Sequence, residues 1–314
     1  MLKDIKPNNA VTETAILTLQ KSGTAKNGSL YANGTLEDKS GKIQFVSFEE
    51  DIVKKLQEHP APNAWKIGGV ATLTNYPNPN TLQVNIKKLA EPEPDADLSQ
   101  LMTTGNFDHA AYAAKINELI NLVENVDYNI LLQKIFDEGI LGLFLKKPAS
   151  MKLHHAYIGG LLEHTIDVTN LALAIAEQQK NVNKDLIIAG ALLHDIGKIS
   201  EISSNIGFPY TTEGRLLGHI ALGALIVQKT ALSLEIKSTK LVELNHIILS
   251  HHGDIEKGSP IPCQSKEAFI VHYADMINCI MNQFDTPKES KEEFEFNNML
   301  KRNIYRKEQL NDPM

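Results

Sequence analysis

The chain has 314 residues, 42% of them apolar and 22% charged, with a formal net charge of −7. Those proportions belong to a globular protein and exclude a disordered or fibrous chain, and the length favours two domains. Two cysteines, Cys263 and Cys279, are too few for a disulfide framework or a cysteine-based zinc finger.

Residues 1–90 read as strands around one helix. Thr14–Gln20 and Leu30–Leu36 alternate apolar or β-branched residues with small polar ones. Asn27-Gly28 supplies the loop between them, and Asn33-Gly34 interrupts the second run. Lys42–Phe48 alternates Ile43, Phe45 and Phe48 with polar residues, with a phase slip near its end. Glu49–Glu58 has helical spacing at Ile52, Val53 and Leu56. Trp65–Leu73 and Thr81–Ile86 are again strands, separated by the turn Asn75–Asn80. Three strands, a helix and two strands is the order of an oligonucleotide-binding (OB) barrel, with a ligand-free small barrel as the alternative. This segment holds 11 Lys against 8 Asp and Glu, a net of +3, so the remaining residues carry −10. Partner arguments therefore apply domain by domain.

Glu91–Leu98 (EPEPDADL) is proline-rich and acidic, and residues 91–107 read as a linker. From 108 to 290 the pattern is helical, over 108–124, 127–145, 154–179, 184–195, 213–231, 239–251 and 265–284, with Asp185 and Ser265 near N-termini. Residues 291–314 read as a charged tail with no assignable role. The start, MLKDIKPNNA, lacks a signal-peptide pattern. The longest unbroken apolar run, Leu186–Leu193, is far below the ~20 residues of a membrane span. A soluble, cytoplasmic protein without a membrane partner is expected.

Eleven histidines is a high count, and nine lie after residue 150. By helical spacing, Leu161, His164, Val168 and Leu171 share a face. So do Ile187, Ala191, Leu192 and Asp195, with His194 adjacent. Leu216, His219, Gly223 and Ile226 form another row, and Ala268, Val271, Asp275 and Cys279 a fourth. A lone histidine on such a face is usually a hydrogen-bonded core residue. The His194-Asp195 dipeptide is also expected by chance in about every second chain of this composition. The ordered set His164, His194-Asp195, His219, His251-His252 and Asp275 is another matter. Two carboxylates on apolar rows require a cation, and those rows hold no Lys or Arg. A divalent metal meets the need, and the imidazole share favours a transition metal over Mg²⁺.

This order resembles the HD metal-dependent phosphohydrolase superfamily, whose pattern H…HD…D falls on His164, His194-Asp195 and Asp275. The stretches HHAYIGGLLEHT (154–165), ALLHDIGKI (191–199), YTTEGRLLGHI (210–220), ILSHHG (248–253), GSPIP (258–262) and EAFIVHYADMI (267–277) resemble the YhaM-type 3′–5′ exoribonucleases, over roughly residues 12–285. That family also carries an OB-type domain before its HD domain. The resemblance implies an all-β OB-type barrel followed by an all-α HD bundle. It implies hydrolysis of single-stranded RNA, and of single-stranded DNA, from the 3′ end. It implies divalent ions, two in number, with Mn²⁺ first and Mg²⁺, Fe²⁺ or Co²⁺ as substitutes. His164, His194, Asp195 and Asp275 carry over as metal ligands, with His219 and His251 for a second metal. His155 and Lys198 match positions near the scissile phosphate. The sequence departs at Asn278 and Ile280, where the family often has Asp and Lys, and at Phe48, where Trp is expected.

Phosphodiester hydrolysis needs a water nucleophile, charge neutralisation on the phosphate and help for the leaving oxygen, and two metals supply all three. Asp195 is the natural bridge. Lys198, one turn further on, reads either as a phosphate contact or as a cation at a helix C-terminus. His155 reads as a donor to the phosphate or as a cap. His252 reads as ligand, substrate contact or neighbour of the ligands, and His246 and His272 as structural. Single strands bind OB domains by aromatic stacking and a positive groove. The candidates are Tyr31, Phe45, Phe48, Trp65 and Tyr76 with Lys21, Lys26, Lys42, Lys66, Lys87 and Lys88, each aromatic weighed against a core role. A homo-oligomer is compatible with the sequence, which sets no number. Two other readings compete: a nucleotide phosphohydrolase with a regulatory barrel, and a non-catalytic single-strand-binding protein.

Overall fold

A computed structural model describes residues 1–25, 28–75, 78–92, 101–151, 154–236, 238–285 and 292–306. They form two units, Met1–Thr104 with Asn205–Gly207 and the rest from Gly105 onward.

In the first unit, strands β1 (Ala10–Thr24), β2 (Leu30–Asp38), β3 (Gly41–Ser47), β4 (Asn63–Thr74) and β5 (Thr81–Pro92) close into a barrel of order β1-β2-β3-β5-β4. Neighbours are antiparallel except β3 and β5, which run parallel. This is the expected OB-type barrel. Alternation explains its interior, since Ala15 and Leu17 of β1, Phe45 of β3, Trp65, Ile67 and Ala71 of β4, and Val84 and Ile86 of β5 are buried together. Helix α1 (Glu50–Glu58) adds Ile52, Val53 and Leu56 to that core. Asn33-Gly34 does not interrupt β2. The register of β1 on β2 shifts between Leu19 and Lys21 opposite this pair, and a Cβ on Gly34 would lie 2.0 Å from the Thr18 carbonyl oxygen. Only glycine permits that approach. The phase slip expected at the end of β3 does not occur: the alternation continues, with Ser47 buried and donating to the Ile86 carbonyl at 2.9 Å, and Phe48 turns outward.

The second unit is helical around one apolar core. Its helices are α2 (His109–Asn121), α3 (Val126–Ile135), α4 (Glu138–Phe144), α5 (Gly160–Glu177), α6 (Lys184–Leu193), α7 (Lys198–Glu201), α8 (Thr212–Ser233), α9 (Ser238–Ser250) and α10 (Lys266–Asp285). Side-chain caps set several starts. Asp108, Asn125, Asp137 and Asn183 each accept from backbone N–H groups of the following turn. The Asp137 cap divides the single helix expected over 127–145 into two. Asn183, not Asp185, caps α6, and Asp185 instead accepts from Asn125 N at 2.7 Å. The helix expected from 154 starts only at Gly160, because His155 sits at φ +43°, outside helical space. By length and mean hydropathy α8 matches a membrane span, a test that core helices also pass. It breaks at Gly218, whose φ is +72°.

Strand β5 runs to Pro92, past the expected barrel boundary, and the linker residues 93–98 lie outside the described residues. The expected charged tail contains a hairpin of β6 (Phe294–Asn297) and β7 (Arg302–Tyr305).

Candidate metal centre

Five elements bring the histidines and aspartates together. His164 comes from α5. His194 ends α6 and Asp195 begins the tight turn after it. His219 follows the break in α8, His251 and His252 follow α9, and Asp275 lies within α10. His164, His194, Asp195 and His251 are buried.

The ring Nε2 atoms converge on the two oxygens of one carboxylate. His164 and His194 each approach Asp195 Oδ2 at 3.3 Å, and His164 Nε2 lies 3.3 Å from Asp275 Oδ1. His219 and His251 face the other oxygen, Oδ1, at 3.5 and 3.6 Å. The ligand atoms of His164, His194 and Asp195 lie within 4.8 Å of one another, as do those of His219, His251 and His252.

The opposite ring nitrogens are pinned. His194 Nδ1 bonds the Ala191 carbonyl at 2.7 Å, and His251 Nδ1 the Ile248 carbonyl at 2.7 Å. His164 Nδ1 bonds Asn278 Oδ1 at 2.8 Å, and His219 Nδ1 bonds Glu201 Oε1 at 3.1 Å. A neutral imidazole that donates from Nδ1 leaves Nε2 as a lone-pair donor to a metal. Asp195 Oδ1, His219 Nε2 and His251 Nε2 are buried without a hydrogen-bond partner. Three lone-pair donors facing one another across 3.5–3.6 Å cannot satisfy one another. A divalent cation satisfies all three, so the donor set fits metal.

Charge supports the same reading. Burial opposes ionisation of Asp195, but Lys198, His194 and His164 hold its pKa well below the usual carboxylate range. Burial opposes charge on His164 as well, but Asp195 and Asp275 push its pKa up to about 9. His251 is held well below the ordinary value by burial and by neighbouring histidines, and stays neutral. One expectation is corrected: the interior does supply a lysine. Lys198 is buried, and its Nζ lies 2.5 Å from Asp195 Oδ2. It opens the four-residue helix α7 and pairs with the carboxylate three residues before it. It compensates one oxygen of Asp195 and leaves Oδ1 bare.

His155 does not reach the cavity. Its Nδ1 contacts the Tyr157 hydroxyl at 2.7 Å, its Nε2 contacts Asn278 Oδ1 at 3.0 Å, and its φ of +43° turns it away. The neighbour His154 lines the cavity, with both ring nitrogens buried and unbonded and a pKa lowered to about 2, chiefly by burial. Asn278 touches two histidines and stands behind His164, and Ile280 lines the cavity. Sequence reasoning missed Glu201, which accepts from both the backbone N–H (2.9 Å) and the ring of His219. The signal for it was a carboxylate six residues after Asp195. His252 lines the cavity with Nδ1 on the Lys257 carbonyl. His272 also lines it, and its Nδ1 bonds the His251 carbonyl at 2.7 Å. His246 accepts from Gln264 N at 3.0 Å, a structural bond. The cavity encloses about 660 Å³, within the ordinary range for small-molecule sites.

In the barrel, Phe45 and Trp65 are fully buried and belong to its core. Phe48 is 49% exposed, and Tyr31 is half-buried across from Gly23. Lys21, Lys66 and Lys88 are exposed. Lys42 and Lys87 are exposed but paired with Glu37 (3.3 Å) and Glu49 (2.7 Å). Tyr76 and Lys26 lie outside the described residues.

The HD-domain family model matches residues 161–278, which span the ligands from His164 to Asp275. Relatives named 3′–5′ exoribonuclease YhaM from Listeria welshimeri, Listeria innocua and Listeria monocytogenes are each 31% identical over 288 residues, covering 90% of this chain and 90% of theirs. The likeness therefore runs through barrel and helical unit alike, and the chain belongs to the YhaM family of barrel-plus-HD, metal-dependent phosphohydrolases.

Proposed function

We propose that the protein is a 3′–5′ exoribonuclease that removes nucleotides from the 3′ end of single-stranded RNA, and of single-stranded DNA. The observation that carries this is the division of Asp195. One oxygen faces His164 and His194, the other faces His219 and His251. That is a donor set for two divalent ions, with Asp275 beside His164 on the first and His252 beside His251 on the second. The imidazole share favours a transition metal over Mg²⁺, and the resemblance to the YhaM-type enzymes puts Mn²⁺ first, with Fe²⁺, Co²⁺ and Mg²⁺ as substitutes. When bound, such ions supply Lewis-acid polarisation of the phosphate and a water of lowered pKa.

The chain's own groups do the rest. Glu201, Asn278 and the carbonyls of Ala191 and Ile248 fix the imidazole planes. Lys198 holds the charge of Asp195 in the metal-free protein. Its ammonium lines the same cavity and would contact a phosphate oxygen bound there. His154, kept neutral, offers an N–H there without adding charge. His155 orients Asn278 and is not a substrate contact. The barrel grips the strand through Tyr31 and Phe48 with the exposed lysines Lys21, Lys66 and Lys88.

The test is an oligoribonucleotide labelled at either end, incubated with Mn²⁺. Mononucleotides released from the 3′ end are expected. Hydrolysis of free nucleotides with intact oligonucleotide would point to a nucleotide phosphohydrolase. Binding without turnover in any metal would point to a single-strand-binding protein.

A further inference from the structure

The C-terminal hairpin is a built part of the cavity wall. Its strands pair from Phe294↔Tyr305 to Asn297↔Arg302. Ile304 is 5% exposed, Arg306 pairs with Glu295 at 2.5 Å, and Asn297 donates to Gln283 of α10 at 3.1 Å. The tip is shaped from within: Leu300 N donates to Asn297 Oδ1 at 2.8 Å, and Arg302 Nε donates to the Leu300 carbonyl at 3.1 Å. From this tip Met299 and Leu300, both half-buried, line the same cavity as Asp195 and Lys198. Met276 and Ile280 of α10, with Ile202 and Tyr210, complete an apolar lining.

A phosphoryl group has no use for that lining. It is drawn to the ammonium and imidazole groups of the polar part and to the cations its carboxylates would hold. The apolar part needs an uncharged body attached to the phosphate. Thioether and aliphatic side chains adapt to flat rings without demanding a hydrogen-bond pattern, so they accept any base.

We propose that the hairpin tip, with Met276 and Ile280, forms the pocket for the terminal nucleoside of the strand being cut. The C-terminal hairpin is thereby a base-tolerant specificity wall. This deepens the nuclease reading of the cavity and rests on it.

The test uses the full-length protein and the double variant Met299→Ala/Leu300→Ala, titrated calorimetrically in Mn²⁺ with adenosine 5′-monophosphate and, separately, inorganic phosphate. The parent should bind the nucleotide at least tenfold more tightly than phosphate. The variant should lose most of that margin, with phosphate and Mn²⁺ binding unchanged. Nucleotide binding no tighter than phosphate in the parent, or an unchanged margin in the variant, overturns the proposal. If the double variant loses Mn²⁺ binding as well, Leu300→Asn carries the same comparison, since it keeps the length and branching of the side chain and removes its apolarity. Oligonucleotide degradation by the parent is scored apart. A parent that shows the tenfold margin but degrades no oligonucleotide supports the pocket and defeats the nuclease reading.

Discussion

At Asp195 two demands meet in one side chain. Its charge is kept by Lys198 in the metal-free protein, and one of its oxygens has no protein partner. Asp195→Asn should bring Mn²⁺-dependent turnover below detection while oligonucleotide binding persists, as filter binding would show; loss of both would mean that grip and cut are not separate. Glu201 holds His219 by ring and backbone. Glu201→Gln should weaken Mn²⁺ binding by about 10–100-fold, the usual cost of losing such a partner, read by calorimetry. His164 adds a pH signature. Its pKa in the metal-free protein is pushed up to about 9, so it carries a proton at pH 7 that a metal must displace. Mn²⁺ affinity should fall as pH drops below about 9, and calorimetry in two buffers at pH 7 should show proton release; equal heats in both buffers would contradict it. The sign for stability is the reverse. Because this pKa is raised, the charged ring stabilises the metal-free fold fully below about 6.5, and that contribution is lost as pH rises through about 9.

At the scale of elements, close backbone approach sets the centre. A Cβ on Gly197 would lie 2.0 Å from the His219 carbonyl oxygen and 2.6 Å from Gly223 N. The turn after Asp195 thus packs directly on the backbone of α8, which places His219 opposite Asp195. Gly197→Ala should destabilise by about 1–3 kcal/mol, as overpacking does, and weaken Mn²⁺ binding with it. Unchanged melting temperature and metal affinity would contradict this packing role. The break at Gly218, φ +72°, re-aims α8 one residue before His219. The periodic row Leu216–His219–Gly223–Ile226 fails for this reason: Leu216 is 78% exposed while His219 faces the cavity. In the same way Asp195 lies past the end of α6, so a turn aims it, and not helical spacing.

At the scale of the molecule, the charge division along the chain accompanies a division into units. The barrel displays Phe48 and exposed lysines, and the helical unit holds the carboxylates. Replacing Tyr31 and Phe48 together by Ala should raise KM for a long oligoribonucleotide by about 10-fold or more, at 1–3 kcal/mol per stacked base. Hydrolysis of a small chromogenic phosphodiester should be unaffected, and an unchanged KM would remove the barrel from the grip.

The sequence by itself determined the order of the barrel elements and of the longer helices, because alternation and helical spacing are local consequences of burying one face. It determined the metal-ligand candidates too, since carboxylates on apolar rows need compensation wherever the rows pack. The tertiary structure decided what local pattern cannot encode. It put Phe45 and Trp65 in the barrel core and left Phe48 outside. It held His155 on Tyr157 and Asn278 and set His154 at the cavity. It brought Lys198 onto Asp195, and Glu201 onto His219 across 18 residues. It folded residues 294–305 into a hairpin whose tip lines the cavity. Each of these depends on which of two adjacent side chains meets a distant partner, and only the packed backbone makes that choice.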